Sequence, residues 1–253
     1  MGETWNVHGG YLQDWLLRPS DWNWRLDPAL GGELRAVADI GSHWLDLVQF
    51  VTGLEIVEVH ADLATTIPVR QRPTGSVGTF VRSAVGAGDN DVPVVSDDLA
   101  NVLLRFRGGA RGSVVISQVS AGRKNSLRYE IDGSEGAVAW DSERPEELWL
   151  GRRDEANAVL LRNPALLESS AAARTTFPAG HAEGFAETLC ELFRAVYTSI
   201  AAGGPPGEPD YPTFRDGHAA NVLGEAIARS SREGRWVPVS AGSSACSPPR
   251  FPT

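Results

Sequence analysis

Between residues 98 and 151 the chain is cut into five short β-prone runs separated by tight, glycine-bearing links. Runs 98–106 and 110–119 flank Gly108-Gly109, and a two-glycine junction supplies the positive φ that a hairpin turn needs. Runs 127–131 and 137–140 flank Gly133-Ser134-Glu135-Gly136, and 147–151 follows after a short polar link. Links this short join antiparallel neighbours, because a parallel pair needs a crossover of roughly a dozen residues or more. One extended sheet is the expected product. Residues 4–11 and 56–67 also read as strands, 236–239 as a last short one, and 68–96, rich in glycine and proline, as a long surface loop or hairpin.

Against this background one helix stands out at residues 36–52. Val37, Ile40, Trp44, Val48 and Val51 recur every three or four residues, the spacing of a buried helical face, and Gly53 ends the run. Asp39 and His43 lie one turn apart on a neighbouring stripe. A carboxylate one turn before an imidazole can hold that ring in one tautomer and raise its basicity, which suits proton transfer near neutral pH. Gly41, between them, costs about 1 kcal/mol relative to alanine inside a helix and points to close approach of a backbone or a flat ligand. From the triplet alone, a helix-end carboxylate and a satisfied core histidine remain equally open. Two further helices are expected at 181–202 and 213–233, the second opening on Thr213 with Asp216 as a capping-box variant.

Residues 13–28 form a loop dense in tryptophan: Trp15, Trp22 and Trp24, interleaved with Asp14, Asp21, Asn23 and Arg25. Flat rings between hydrogen-bonding neighbours suit a binding wall, and a small core cluster beneath a loop is the alternative. The net charge of -9 argues against a nucleic-acid or anionic-membrane surface. Two cysteines, Cys190 and Cys246, are too few for a disulfide framework, and neither a signal peptide nor a membrane-spanning run is visible, so a soluble, cytoplasmic protein is expected. Residues 240–253 are expected to be a disordered tail, and 1–239 to be the folded domain. A first strand opening at residue 4 suggests a missing segment upstream.

Nucleotide binding has no visible seat. Gly86-Ala87-Gly88 precedes a proline-bounded loop, and Gly108-Gly109-Ala110-Arg111-Gly112 lies between strands, so neither has the strand–turn–helix context of a phosphate cradle.

Gly9-Gly10-Tyr11-Leu12-Gln13-Asp14-Trp15 and Asp39-Ile40-Gly41-Ser42-His43-Trp44-Leu45-Asp46, supported by Gly180-His181-Ala182-Glu183-Gly184 and Pro212-Thr213-Phe214-Arg215-Asp216-Gly217-His218, together resemble the C-terminal domain of the glucose–fructose oxidoreductase / inositol dehydrogenase / MocA (Gfo/Idh/MocA) family. The Trp/Tyr-rich entry is similar to its sugar-dehydrogenase side. The resemblance implies an α+β fold, an open and predominantly antiparallel sheet with helices packed on one face. It also implies the substrate-binding half of an enzyme whose N-terminal Rossmann domain holds NAD or NADP and contributes a lysine. His43 would then act as acid/base on a ring hydroxyl of a sugar or polyol, with Asp39 assisting. Tyr11, Gln13, Trp15, Trp22, Asn23, Arg25 and His181 would face the substrate. A homo-oligomer through the free sheet face is implied too.

The sequence departs from that pattern in lacking the Rossmann domain and its lysine. Lys124 lies near a strand connection and reads as a surface charge. The isolated chain is therefore expected to be inactive without a separate Rossmann partner. Two alternatives stand beside this reading: a non-catalytic carbohydrate-binding or scaffold protein, and a metal site built from Asp39, His43 and Asp46.

Overall fold

A computed structural model describes residues 1–75, 78, 90–207 and 209–240. The Gly86-Ala87-Gly88 stretch and the expected tail from 241 onward lie outside the described residues. The strands are β1 (Thr4–Leu12), β2 (Ile56–Ala64), β3 (Val69–Arg72), β4 (Asn90–Pro93), β5 (Leu99–Phe106), β6 (Arg111–Ser117), β7 (Ser126–Gly133), β8 (Gly136–Asp141), β9 (Glu147–Gly151), β10 (Ala158–Leu161) and β11 (Val237–Pro238). Nine of them form one sheet in the order β10-β9-β8-β7-β1-β6-β5-β2-β11, while β3 and β4 pair as a separate hairpin inside the expected loop. Every neighbouring pair in the large sheet is antiparallel except β1 with β6, which is parallel. That exception was invisible in the turns, because β1 enters the sheet between two strands that come about a hundred residues later.

The helices are α1 (Pro28–Gly31), α2 (Ser42–Thr52), α3 (Ser169–Ala172), α4 (Phe185–Ala201) and α5 (Phe214–Glu233). α2 and α5 cover one face of the sheet. Trp44 and Val48 of α2 and Leu223 and Ile227 of α5 share a core with Val7, Val59, Val102, Leu104, Val114 and Ile116 from alternate strand positions. Burial of aliphatic and aromatic side chains at about 1.5–3 kcal/mol each is the main force holding this layer pair together. Alternate residues on the other face stay open: Leu103 and Val115 are 50% and 45% exposed. Val51, expected on the buried stripe of α2, is exposed, because the stripe rotates onto Leu45 and Val48 instead. α4 shows a continuous apolar face of Phe185, Leu189, Phe193, Tyr197 and Ile200 to solvent, and Ala195 is its one buried residue.

Two details place the site. Gly9 has no side chain because a β carbon there would sit 2.1 Å from the Arg128 carbonyl oxygen. The same carbonyl accepts the indole Nε1–H of Trp44 at 2.8 Å, so α2 is pinned across β1 onto β7. The second detail is a π-helical segment, Val37–Gly41, directly before α2. Its i→i+5 bond from Ser42 N to Val37 O widens the turn that carries Asp39.

Candidate active site

The site forms where the end of β1, the π-helical turn and the tryptophan loop meet. Tyr11 leaves β1 on the helix-covered side, and its ring centroid lies 6.4 Å from that of His43. The Tyr11 hydroxyl donates to Asn125 Oδ1 at 2.7 Å, Gln13 Nε2 donates to the same oxygen at 2.7 Å, and Trp15 Nε1 donates to Gln13 Oε1 at 2.8 Å. Tyr11, Gln13 and Trp15 are thus joined through Asn125, which sequence reasoning missed. Burial above all pushes the Tyr11 hydroxyl up from its ordinary value, the Asn125 bond opposes this, and the charge of Asp39 adds to it. Tyr11 is therefore a neutral hydroxyl at working pH.

Asp39 is held from both sides. Arg25 Nε lies 3.1 Å from its Oδ1, and Gln118 Nε2 donates to its Oδ2 at 2.7 Å. No hydrogen bond or ion pair joins Asp39 to His43 among the described residues. The expected stacking presumed a regular α-helix, and the π-helical turn between them removes that geometry. His43 itself is exposed. Its neighbour Asp46 is held above the ordinary carboxylate range, chiefly by partial burial, then by the charge of Asp216, with His43 pulling the other way.

Gly41 is buried, and a β carbon there would come within 2.6 Å of Ile116 Cδ1, so a core side chain from β6 approaches this glycine.

The tryptophan loop divides. Trp22 is 8% exposed and packs with Leu16, Leu26 and Val94 in a small second core. Asn23 is buried, and its Oδ1 accepts from Arg25 N at 3.2 Å and from Arg25 Nη1 at 3.1 Å, which orients that guanidinium. Both residues support the loop from beneath, so a sugar-facing role does not suit them. Trp24, which the sequence reading left out of the candidates, is half exposed, and the Arg25 guanidinium lies 4.7 Å from its ring centre. Trp24, Arg25, Leu34, Ala38 and Asp39 border a cleft of about 240 Å³.

No hydrogen bond, ion pair or ring contact joins His181 to this cluster among the described residues; its carbonyl accepts from Arg162, just beyond β10. Lys124 is exposed with its Nζ 2.6 Å from Asp14 Oδ2, as befits a surface charge. Asp39, His43 and Asp46 do not converge as metal ligands; among the described residues the grouping with ligand atoms within 4.8 Å of one another is His8, Glu130 and Asp132, on strands β1 and β7.

A buried ionic cluster lies behind the site. Arg35 Nη2 and Arg70 Nη2 both donate to Asp98 Oδ1, the latter at 2.6 Å, and Arg35 Nη1 donates to Gln118 Oε1 at 3.0 Å. Burial would raise the Asp98 carboxyl, but Arg35, the Ile67 N–H and Arg70 outweigh it and hold it below the ordinary range. Nothing in the hydrophobic pattern of the sequence marked Arg35, Asp98 or Gln118.

Residues 1–139 match the family model described as the GFO/IDH/MocA C-terminal domain. The chain belongs to the Gfo/Idh/MocA family. It is 31% identical over 243 residues to levoglucosan dehydrogenase of Pseudarthrobacter phenanthrenivorans, covering 94% of this chain and 60% of that protein. Among solved structures, an oxidoreductase domain protein from Kribbella flavida is similar at 32% identity and a TM-score of 0.80, covering 95% of this chain and 60% of the other. Levoglucosan dehydrogenase in complex with NADH and L-sorbose is similar at 29% identity and a TM-score of 0.78, covering 94% and 59%. The chain spans about 60% of the length of levoglucosan dehydrogenase. No described helix is long and apolar enough to cross a membrane.

Proposed function

We propose that this chain is the substrate-binding part of an NAD(P)-dependent dehydrogenase that oxidises a ring hydroxyl of a sugar or polyol. The observation that carries the reading is the meeting of an exposed imidazole, His43, with the Tyr11–Asn125–Gln13–Trp15 hydrogen-bond chain, whose Tyr11 also feels the charge of the fixed Asp39 carboxylate. In this reading His43 accepts the hydroxyl proton as the carbon loses its hydride, and Asp39 assists from its fixed position. Tyr11, Trp15 and Arg25 orient the hydroxyls, Gln13, which is buried with both ends of its amide committed, holds Trp15 and Asn125 in place rather than facing the sugar, and Trp24 offers a flat apolar wall to the ring. Among the described residues no glycine turn opens a helix directly after a strand, so they do not fit a dinucleotide. The nicotinamide, which would accept the hydride, is therefore assigned to a Rossmann portion outside the described residues. The small cleft and the uncovered apolar face of α4 agree with a site and a surface completed by that portion. The open sheet face, with Leu103 and Val115 exposed, is assigned to a second copy of the chain.

Assaying NAD and NADP reduction by the protein at its natural length tests this. Levoglucosan, L-sorbose and inositols head the panel; activity with none of the sugars or polyols tried would count against it. A second reading is a carbohydrate-binding protein without catalysis, favoured by the lack of a dinucleotide fit. It predicts sugar binding by calorimetry with no cofactor reduction.

A further inference from the structure

The geometry points to Gln118 as a positioning residue that locks the Asp39 carboxylate, its own orientation being dictated by the buried Arg35–Asp98–Arg70 cluster. The inference rests on the reading of Asp39 and His43 as the acid/base pair.

Gln118 is fully buried just beyond β6, and both ends of its amide are committed. Its Oε1 accepts from Arg35 Nη1 at 3.0 Å, and its Nε2 donates to Asp39 Oδ2 at 2.7 Å. An amide can ordinarily be turned end for end, but here the chemistry of the neighbour forbids it. A guanidinium has only donors, so the Gln118 oxygen must face Arg35. A turned amide would set N–H against N–H in a site from which water is excluded, at the full desolvation cost of both groups. The Gln118 NH₂ is thereby forced toward Asp39, which must accept.

Arg35 cannot swing away to relax this. Its Nη2 is paired with Asp98 Oδ1, its Nε donates to Ser96 Oγ at 3.3 Å, and its backbone N donates to Asp97 Oδ1 at 2.6 Å. The backbone of Gln118 is tied as well, its N–H to the Asp98 carbonyl at 3.0 Å and its carbonyl to the Leu16 N–H at 3.3 Å. On the cleft side the second oxygen of Asp39 meets Arg25 Nε at 3.1 Å. Both carboxylate oxygens thus face donors only. Asp39 is kept as an oriented acceptor on the turn before His43 by a chain of contacts that begins in the core.

Gln118→Glu is the discriminating variant, because the new carboxylate still accepts from Arg35 but offers Asp39 no N–H. In the isotope-labelled chain at one neutral pH, the ¹³C carboxyl resonance of Asp39 should move in Gln118→Glu, because the N–H that it accepts is lost. Gln118→Met, which removes both contacts, should move the same resonance. An unchanged Asp39 carboxyl resonance in the folded Gln118→Glu variant overturns the proposal. For the catalytic consequence, the acid limb of the kcat/KM–pH profile of the natural-length protein should move upward in Gln118→Glu, with sugar KM within about threefold. A carboxyl resonance that moves while the rate profile stays put upholds the Gln118–Asp39 lock and overturns the acid/base reading instead.

Discussion

Arg25 Nε stands 3.1 Å from Asp39 Oδ1, so the residue expected to meet a sugar also holds the carboxylate expected to assist His43. Loop and helix are coupled at this contact. Arg25 is kept in place by Asn23 and by the Trp24 ring, which makes the tryptophan loop part of the machinery that aims Asp39.

Arg25→Met should therefore lower kcat/KM by about tenfold or more, close to 1.4 kcal/mol of transition-state stabilisation, with a fall in kcat and a rise in KM. Steady-state kinetics check this. A change confined to KM would assign Arg25 to substrate contact alone.

The central sheet should be most sensitive at Gly9. A methyl there meets the Arg128 carbonyl, a backbone atom that cannot swing aside, and displaces the Trp44 indole from the same oxygen. Gly9→Ala should cost more than Trp44→Phe, which removes one buried donor at about 1–3 kcal/mol. Urea unfolding of the two variants gives the order directly.

Acid stability should be governed by opposite contributions from two adjacent aspartates. Asp98 is held below the ordinary range, so its contribution is complete above the unfolded carboxylate value near 4 and is lost as pH falls through its folded value. Asp97, raised mainly by burial against the bonds from Arg35 N–H and Val37 N–H, works the other way: its contribution is complete below the unfolded value and is lost as pH rises through the folded one. Thermal melts between pH 2 and 7 should show a flatter acid limb for Asp98→Asn than for wild type. At neutral pH, Asp98→Asn leaves two buried guanidinium groups without their carboxylate and should cost about 3–5 kcal/mol.

The sheet was legible in the sequence because hairpin turns are local: Gly108-Gly109 with φ of 91° and 107° joins β5 to β6 as the glycines required. The parallel pairing of β1 with β6 was not, because no short link connects them. Asp39 and His43 could be singled out, but their relation could not, since a π-helical turn leaves no mark in apolar spacing. Trp22 and Trp24 are two residues apart in the same composition, and only packing separates the core ring from the exposed one. Gln118 and Asn125 act through pairs of hydrogen bonds fixed by tertiary contacts, which residue periodicity does not record.

The proton-transfer role of His43 is tested most directly by steady-state kinetics of His43→Asn in the natural-length protein with its best sugar substrate. The account predicts that kcat falls by about 10²–10⁴-fold while sugar binding, measured by calorimetry, stays within about threefold. Turnover equal to wild type would contradict it.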